Sequence, residues 1–243
     1  MRAPRIFTDR PLASGALVEL DANPSHHLSR VLRMAPGGRV VIFDGRGGEY
    51  EAVLESADRR RVRLRVGRHD PREREAPLRL VLAQGVSRGE RMDYTIQKAV
   101  ELGVAEVVPL LSERSVVQLG GERAAKRQRH WRQVAISACE QCGRNRVPEV
   151  HAPAAFGQWL EARDGDCRAL VMDPEGDPLS AADAPRGPVT LLVGPEGGLT
   201  REESARARGA GFQSVRLGPR VLRTETAAIA MLAALQTLWG DFR

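Results

Sequence analysis

Two glycine-bearing loops near the C-terminus carry the residues whose types and spacing best suit ligand binding. The first loop, GPEGG, follows the apolar run from Val189 to Val193, and the second, LGPRVLRTE, follows a short run that ends at Arg216. Because glycine has no Cβ, backbone N–H and C=O groups in such loops can approach a ligand closely. Loops that follow neighbouring parallel strands form a crevice at the ends of those strands. We therefore predict a small-molecule site between the two loops.

The first loop has a composition that argues against a phosphate ligand. Neither of the usual phosphate-binding glycine patterns is present, and the carboxylate of Glu196 would repel a phosphate. A neutral or cationic ligand fits this loop better, and a purely structural turn is the alternative. Thr200 and Glu203 have the spacing of a capping box, which predicts that the next helix begins at Arg201.

The second loop is the more specific of the two. Its apolar residues Val221 and Leu222 have no core-facing periodicity, and they could line an adenine pocket. Arg223 and Glu225 follow at positions that could face a substrate, although a local ion pair between them is an equally simple interpretation. The helix after them is rich in small residues, which favours close packing against a sheet or another subunit.

The CxxC pair formed by Cys139 and Cys142 is a weak metal signal. A structural zinc site needs two more ligands, and the nearby His151 and Cys167 stand at irregular distances. We predict no metal; the cysteines act as small residues near a helix end, and the residues after them, including Arg144 and Asn145, face outward.

Basic residues suggest a polyanionic partner. The net charge is +6, although all but two of the 37 basic residues are arginine, which is also what a GC-rich genome would produce. Arg88 and Arg91 follow a predicted strand and could hold RNA phosphates or simply be solvated. The pair His26 and His27 adjoins two further arginines, Arg30 and Arg33, and this group could contact phosphates or bases.

The elements that position these residues fall into two groups. Residues 1–70 alternate strand patterns with turns, among them a DGRGG hairpin turn, which predicts a small β-barrel with one short helix over NPSHHLSRVLRM. In that helix Asn23 or Ser25 could be the cap, and Leu28, Val31 and Leu32 would share an apolar face. Residues 71–77 resemble a linker. Residues 78–243 alternate strands with helices, which predicts an α/β domain with a mainly parallel sheet.

Composition excludes several classes of protein. No apolar run approaches the ~20 residues of a membrane span, and the first residues, MRAPRIFTDR, lack the apolar stretch of a signal peptide. Three cysteines are too few for a disulfide framework. We therefore expect a cytoplasmic protein with no membrane partner.

Several of these motifs together resemble the SPOUT-superfamily RNA methyltransferases of the RsmE type, which modify N3 of a uridine near the decoding site of 16S rRNA. The resemblance is carried, in family order over nearly the whole chain, by HHLSRVLRM, RMDYTIQKAVELGV, SERSVV, ACEQCGRNRVP, GPEGGLTREE and LGPRVLRTETA. One departure is Arg88, where a lysine is expected before GERM. This change preserves the charge but not the geometry of the cation.

The resemblance implies an N-terminal PUA-like β-barrel for RNA and a C-terminal α/β domain with a trefoil knot. It also implies a homodimer, S-adenosylmethionine as cofactor, and 16S rRNA within the small ribosomal subunit as partner. The cofactor-binding residues that it implies are Met172, Gly194, Glu196, Gly197, Gly198, Leu217, Gly218, Val221, Leu222 and Arg223. The RNA-binding residues are Arg5, His26, His27, Arg30, Arg33, Arg88 and Asn145.

The implied reaction requires that N3 of uracil lose its proton before it attacks the methyl group. Glu225 is the candidate base, or it orients Arg223; a positioned base typically contributes ~10²–10⁴ in rate. Arg91, Arg144 and Arg223 are candidates to stabilise the uracil anion. A non-catalytic RNA-binding factor of ribosome assembly is the main alternative, and methyl transfer to another RNA position is a second. A NAD-linked oxidoreductase is a third, disfavoured because no early strand carries a glycine fingerprint.

Overall fold

The chain divides into two compact units in the computed structural model, Met1–Glu75 with Cys139–Val147, and Ala76–Ala138 with Pro148–Arg243. This division differs from the sequence-based one, because residues 71–75 and 139–147 both belong to the first unit. The structure describes residues 3–58, 61–115, 120–163, 168–180 and 184–242. Parts of three predicted features lie outside these ranges: the turn at 59–60, the end of SERSVV and Cys167.

A five-stranded sheet forms the body of the first unit, in the order β1-β3-β4-β5-β2. Only β1 and β3 pair in parallel, and the other pairs are antiparallel. Leu54 and Leu64 lie opposite each other on neighbouring strands and are both fully buried, as expected where one face of a sheet covers a core. The strands are β1 (Arg5–Phe7), β2 (Leu17–Glu19), β3 (Arg39–Phe43), β4 (Glu49–Ala57) and β5 (Val62–Asp70).

The strands predicted for residues 1–70 are confirmed as β2, β3, β4 and β5. The structure adds β1, which the sequence analysis missed. The predicted hairpin turn between β3 and β4 is also confirmed, because Ile42 lies opposite Tyr50 in an antiparallel pair. β1 has three residues, too few to show a periodic pattern, and its parallel partner is distant in sequence. Strands this short are identified by their pairing rather than by their own residues.

The short helix of the first unit begins earlier than predicted. α1 (Ala22–His26) has Asp21 at its N-cap, and no side chain caps it. The prediction that Asn23 or Ser25 is the cap is therefore wrong. The hydroxyl of Ser25, which is fully buried, instead donates a hydrogen bond to the carbonyl of Leu20 at 3.0 Å. This bond ties the helix to the end of β2.

A π-helical turn, His27–Val31, continues α1 and changes which residues are buried. Leu28 is fully buried, but Val31 and Leu32 are 59% and 42% exposed, so the predicted apolar face is wrong for these two residues. The wider turn, closed by a bond from the N–H of Leu32 to the carbonyl of His27, rotates successive side chains by less than an α-helix does. The i, i+3, i+4 pattern therefore does not form one face.

The second unit contains a seven-stranded parallel sheet, in the order β12-β10-β11-β6-β7-β8, with β9 also paired to β7. The predicted α/β class with a parallel sheet is confirmed. All five residues of the central strand β11 are buried, as expected of a strand covered on both faces. The strands are β6 (Leu80–Gly85), β7 (Val104–Leu111), β8 (Glu149–Val150), β9 (Ala154–Ala155), β10 (Arg168–Pro178), β11 (Val189–Val193) and β12 (Gln213–Arg216).

Helices alternate with these strands. They are α2 (Glu90–Glu101), α3 (Gly121–Cys142), α4 (Phe156–Glu161), α5 (Arg201–Gly209) and α6 (Thr224–Trp239). The last turn of α3 belongs to the first unit. α6 packs against α2 and against strands β6 and β11. No helix in the described part of the chain is both long enough and apolar enough to cross a membrane.

Candidate active site

A cavity of about 540 Å³ lies at the carboxyl ends of β10, β11 and β12, between the two glycine-bearing loops. Loops at the carboxyl ends of parallel strands are where α/β sheets bind ligands. The cavity is lined by nine of the ten predicted cofactor-binding residues: Met172, Gly194, Glu196, Gly197, Gly198, Leu217, Val221, Leu222 and Arg223. Gly218, the tenth, is absent from the lining; it is exposed and has a φ of +68°, so it shapes the turn of the second loop.

The first loop is packed so tightly, within itself and against the end of β6, that two glycines have no room for a side chain. A Cβ on Gly85, at the end of β6, would lie 2.4 Å from the backbone nitrogen of Pro195. A Cβ on Gly194 would lie 2.9 Å from the backbone nitrogen of Leu199. The ends of β6 and β11 are therefore in direct backbone contact beneath the loop.

The predicted capping box at the start of α5 is confirmed. The hydroxyl of Thr200 accepts a bond from the N–H of Glu203 at 3.1 Å, and the Glu203 carboxylate accepts one from the N–H of Thr200 at 2.9 Å. The other oxygen of the same carboxylate accepts a bond from the N–H of Glu113 at 2.8 Å. One buried glutamate thus fixes the end of the first loop against the segment after β7.

A hydrogen-bonded bridge joins the ends of β6 and β11 to the start of α6, and the sequence analysis missed it. The Nε2 group of Gln84, at the end of β6, donates to the hydroxyl of Thr224 at 2.8 Å. That hydroxyl donates to the carbonyl of Gly194 at 2.6 Å. Gln84 is fully buried and Thr224 nearly so. A glutamine inside the apolar run LRLVLAQG was the available signal, because a buried amide requires partners.

Glu196 is held in place by two arginines. Its carboxylate accepts a hydrogen bond from the backbone N–H of Arg88 at 2.9 Å and one from the guanidinium of Arg91 at 3.1 Å. Burial raises the pKa of Glu196, but these hydrogen bonds, together with one from its own N–H, outweigh burial and leave the pKa below its ordinary value. The side chain is therefore a carboxylate at neutral pH, which agrees with the expected preference for a neutral or cationic ligand.

Three of the four predicted catalytic residues line the cavity: Arg91, Arg223 and Glu225. One carboxylate oxygen of Glu225, Oε2, is buried and has no hydrogen-bond partner in the described part of the chain. Within the same ranges no ion pair joins Arg223 to Glu225, so the local ion pair considered from sequence does not form. Arg223 and Glu225 therefore both line the cavity without pairing with each other.

The fourth predicted catalytic residue, Arg144, lies in the first unit within a buried network. Its guanidinium Nε donates to Glu75 at 3.0 Å. Arg5, only 9% exposed, donates to the carbonyl of Arg144 at 3.1 Å and to the side chain of Asn145 at 2.7 Å, and it forms an ion pair with Glu49. The outward orientation expected of Arg144 and Asn145 is therefore wrong, since both are at least 95% buried.

The predicted linker takes part in the same network. Asn145 donates to the carbonyl of Arg72 at 2.7 Å, and Arg74 donates to the carbonyl of Gly143 at 3.2 Å. The N–H of Gly48 bonds to the carboxylate of Glu73 at 2.6 Å. Residues 72–75 have no regular secondary structure, but side-chain bonds fix their path along the first unit.

The predicted RNA-binding residues are found in different environments. His26, His27, Arg30 and Arg33 are all exposed around the π-helical turn of the first unit. Arg88 is exposed beside the cavity of the second unit, where its N–H holds Glu196. Arg5 and Asn145, in contrast, are buried.

Neither group of metal-ligating side chains has the features of a built metal site. Cys139 is fully buried, and burial raises the pKa of its thiol to about 12. In the second unit Glu106, Glu149 and His151 offer ligand atoms within 4.8 Å of one another. His151 Nε2, however, lies 2.8 Å from Glu106 and its Nδ1 lies 3.5 Å from Glu149, so both ring nitrogens already face carboxylates.

Comparison with protein families defines the class of protein. Residues 74–236 match the model of an RNA methyltransferase domain, and residues 20–67 match that of an RNA methyltransferase PUA domain. The two matches correspond to the sheet of the second unit and to most of the sheet of the first. RNA is therefore the class of substrate.

Relatives of known identity narrow the assignment. The Ribosomal RNA small subunit methyltransferase E of Buchnera aphidicola is 30% identical over 100% of this chain and 96% of the relative. That of Bacillus subtilis is 34% identical over 97% of each chain. The chain belongs to the family of ribosomal RNA small subunit methyltransferase E.

Solved structures agree in fold and in cofactor. The small subunit methyltransferase E of Neisseria gonorrhoeae, crystallised with S-adenosyl methionine, superposes with a TM-score of 0.93 at 42% identity, covering 100% of both chains. A putative methyltransferase of Legionella pneumophila, in complex with the same cofactor, gives a TM-score of 0.96 at 38% identity, again over 100% of both chains. The predicted fold class, a SPOUT-type domain preceded by a PUA-like domain, is confirmed.

Proposed function

We propose that this protein transfers the methyl group of S-adenosylmethionine to N3 of one specific uridine of 16S rRNA in the small ribosomal subunit. The single observation that carries the proposal is the cavity between the two glycine-bearing loops. Arg223 and Glu225 both line it, one oxygen of Glu225 has no hydrogen-bond partner among the described residues, and the chain belongs to a methyltransferase family. The comparisons support the methyltransferase and its cofactor, and the uridine is supported by the family resemblance.

The residues of the cavity fit S-adenosylmethionine. A volume of about 540 Å³ is within the usual range for sites that bind cofactors. Asp173 and Glu196 supply negative charge for a cationic sulfonium, while Val221 and Leu222 supply an apolar wall for an adenine. When bound, this cofactor provides an electrophilic methyl group. The predicted roles of Met172, Gly197, Gly198 and Leu217 are consistent with their places in the lining.

The side chains of the cavity then perform the acid–base part of the reaction. N3 of uracil carries a proton at neutral pH, so a base must remove it before the ring can act as a nucleophile. Glu225 accepts this proton through the oxygen that has no other partner. Arg91 and Arg223 stabilise the charge that develops on the uracil oxygens, because fixed cations in a partly desolvated site interact strongly with a developing anion.

Arg144, Arg5 and Asn145 are proposed to act on RNA indirectly. Arg5 bonds to Arg144 and Asn145, and Arg144 bonds to Glu75, so these residues hold the segment after α3 in a fixed conformation. Direct contact with phosphates is proposed instead for the exposed residues His26, His27, Arg30, Arg33 and Arg88.

A homodimer and the assembled small subunit complete the proposal. The family resemblance supports both. α6 adds a physical argument for the dimer, since its residues Ile229, Ala230, Ala233 and Ala234 are only half-buried and are small or apolar. Such a surface allows close helix packing. Sedimentation equilibrium should therefore give twice the 26.6 kDa mass of the chain.

The test uses small ribosomal subunits from a strain that lacks this protein, incubated with it and methyl-labelled S-adenosylmethionine. Nucleoside mass spectrometry should detect 3-methyluridine at one site. Glu225→Gln should bind the cofactor normally but lower turnover by about 10²-fold or more. Glu202→Gln, an exposed change on α5, is the matched control and should leave turnover unchanged.

Each alternative has its own result in this assay. Near-normal turnover of Glu225→Gln would reject the base assignment while keeping the methyltransferase. A different methylated nucleoside would reject the uridine. If the wild-type protein bound small subunits but neither bound the cofactor nor transferred label, a non-catalytic assembly factor would be the better description.

A further inference from the structure

The segment from His26 to Arg33, which we call the basic tip, combines exposed apolar and exposed cationic residues. Val31 is 59% exposed and Leu32 is 42% exposed, so two adjacent aliphatic side chains face water. They stand between the exposed residues Arg30 and Arg33. Adjacent exposed aliphatic side chains in a small domain mark a place where another molecule binds more often than isolated ones do.

The charges of the basic tip are not neutralised in the way that those of the neighbouring sheet are. Arginines on the sheet form ion pairs with carboxylates, for example Arg63 with Glu19 and Arg65 with Glu55. In the described part of the chain no such pair involves Arg30 or Arg33. The sequence from 22 to 43 contains no acidic residue. Glu140 lies within electrostatic range of His27, whose charge acts to lower the pKa of this carboxyl against the larger effect of burial.

The basic tip is anchored from below, so its exposed residues are presented on a fixed support. Leu28 is fully buried in the core of the first unit. The hydroxyl of Ser25 accepts a bond from the N–H of Val62 at 3.2 Å, and Ser29 donates to the carbonyl of Ser25 at 2.8 Å. The exposure of Val31 and Leu32 therefore reflects the π-helical turn and not a loose segment.

We propose that the basic tip inserts Val31 and Leu32 against unpaired bases of the RNA, while Arg30 and Arg33 hold the adjacent phosphates. This inference rests on the proposed function, in which a uridine of structured RNA must leave its stack before it can be methylated. Aliphatic wedges flanked by cations are a known physical means of unstacking bases. RNA is the occupant that fits, because uncompensated positive charge surrounds the apolar pair.

The apolar and cationic parts of the tip should have separate signatures. Loss of a phosphate contact lowers the slope of log K against log salt by about 0.7–0.9 for each cation removed. Loss of a buried aliphatic contact with a base lowers affinity by about tenfold or more without a change in that slope, because the contact carries no charge. Leu32→Ser and Val31→Ser should therefore weaken binding at every salt concentration, whereas Arg30→Gln should flatten the salt dependence.

The experiment measures binding of a synthetic RNA hairpin that contains an unpaired loop with 2-aminopurine, whose fluorescence rises when the base is unstacked. Wild-type protein should increase the fluorescence, and Leu32→Ser should remove most of this increase. Leu17→Ser is the matched control, because Leu17 is 48% exposed on β2 of the same unit. It should bind and unstack the hairpin as the wild type does. Thermal melting of each variant checks that the fold is intact.

The outcomes separate this inference from the proposed function. If wild-type protein methylates small subunits and Leu32→Ser changes neither hairpin affinity nor fluorescence, the wedge is refuted although the methyltransferase stands. If Leu32→Ser weakens binding only to assembled small subunits and not to RNA alone, the tip contacts a ribosomal protein, and the wedge is again refuted. A tenfold loss on the hairpin with an unchanged salt slope supports it, whether or not the methylated position is the expected one.

Discussion

Replacing Thr224 with valine tests the hydrogen-bonded bridge that holds the cofactor loops together. Valine has nearly the same shape as threonine but lacks the hydroxyl. The hydroxyl accepts a bond from Gln84 at 2.8 Å and donates one to the carbonyl of Gly194 at 2.6 Å. Thr224→Val therefore removes both bonds with little change in packing, at a residue only 7% exposed.

The expected magnitude follows from the groups that lose partners. A buried donor or acceptor left without a partner costs about 1–3 kcal/mol. The Gly194 carbonyl retains only a long contact from Gln84 at 3.5 Å, whereas the Gln84 amide retains a bond to Gly85 at 3.1 Å. We therefore assign most of the cost to the carbonyl, and expect the free energy of unfolding of the second unit to fall by about 2–4 kcal/mol.

The same substitution should weaken binding of S-adenosylmethionine. Gly194 begins the loop that lines the cavity, and Thr224 begins α6 on the opposite side of it. If the substitution destabilises the cofactor-bound state more than the free protein, by about half of this energy, the dissociation constant rises by about tenfold. A difference of about 1.4 kcal/mol corresponds to a factor of ten. Urea denaturation followed by circular dichroism measures stability, and isothermal titration calorimetry measures affinity.

Two further variants isolate the hydroxyl. Thr224→Ser keeps the oxygen and should recover most of the stability and affinity. Thr226→Val makes the same replacement at an exposed position two residues further along α6 and should have little effect. A double-mutant cycle with Gln84→Leu should give a coupling energy of about 0.5–3 kcal/mol. If Thr224→Val matched the wild type in both assays, the bridge would contribute nothing and the reasoning would be refuted.

Three other predictions concern titratable groups. Because burial raises the pKa of Cys139 to about 12, iodoacetamide at pH 8 should label it far more slowly in the folded than in the unfolded protein, and equal rates by mass spectrometry would contradict its burial. Burial also raises the pKa of Glu140, whose carboxyl accepts a hydrogen bond from the N–H of Phe7. The contribution of Glu140 to the free energy of unfolding is therefore fully present below pH 4.5 and is lost as pH rises through the folded-state pKa. Glu140→Gln should thus be at least as stable as the wild type at pH 7 and should lose this pH dependence of stability. If urea denaturation gave the variant the same pH dependence as the wild type, the role assigned to Glu140 would be wrong. Hydrogen bonds lower the pKa of Glu196, so its contribution to stability is fully present above pH 4.5 and is lost as pH falls through the folded-state pKa. Arg91→Met removes one of these bonds and should make the contribution smaller and its loss complete at a higher pH, which urea denaturation at a series of pH values measures.

Local patterns were sufficient to predict most of the elements around the cavity. The capping box of Thr200 and Glu203 was predicted correctly because both partners lie within one helical turn. Glycine-bearing loops after apolar runs located the cavity for a similar reason. Each such signal depends on residues a few positions apart, whose interaction is the same in any fold.

Features that depend on distant partners were not predicted. The bridge from Gln84 to Thr224 joins residues 140 positions apart, and Arg5 meets Asn145 across the same separation. The pattern RNRVP indicated outward-facing polar residues, since isolated arginines and asparagines are usually exposed. Burial of Arg144 became possible only because Glu75, from the presumed linker, provides the opposite charge.

The sequence by itself determined the two-part organisation, the α/β class, the family and the loops that form the cavity. Tertiary structure alone decided which polar side chains are held inside the fold and which face the solvent. The reason is that burial of a charge or an amide depends on whether distant groups supply its hydrogen bonds. In the basic tip, tertiary structure instead exposed apolar residues: a π-helical turn left Val31 and Leu32, which the sequence placed on one apolar face with Leu28, in contact with water.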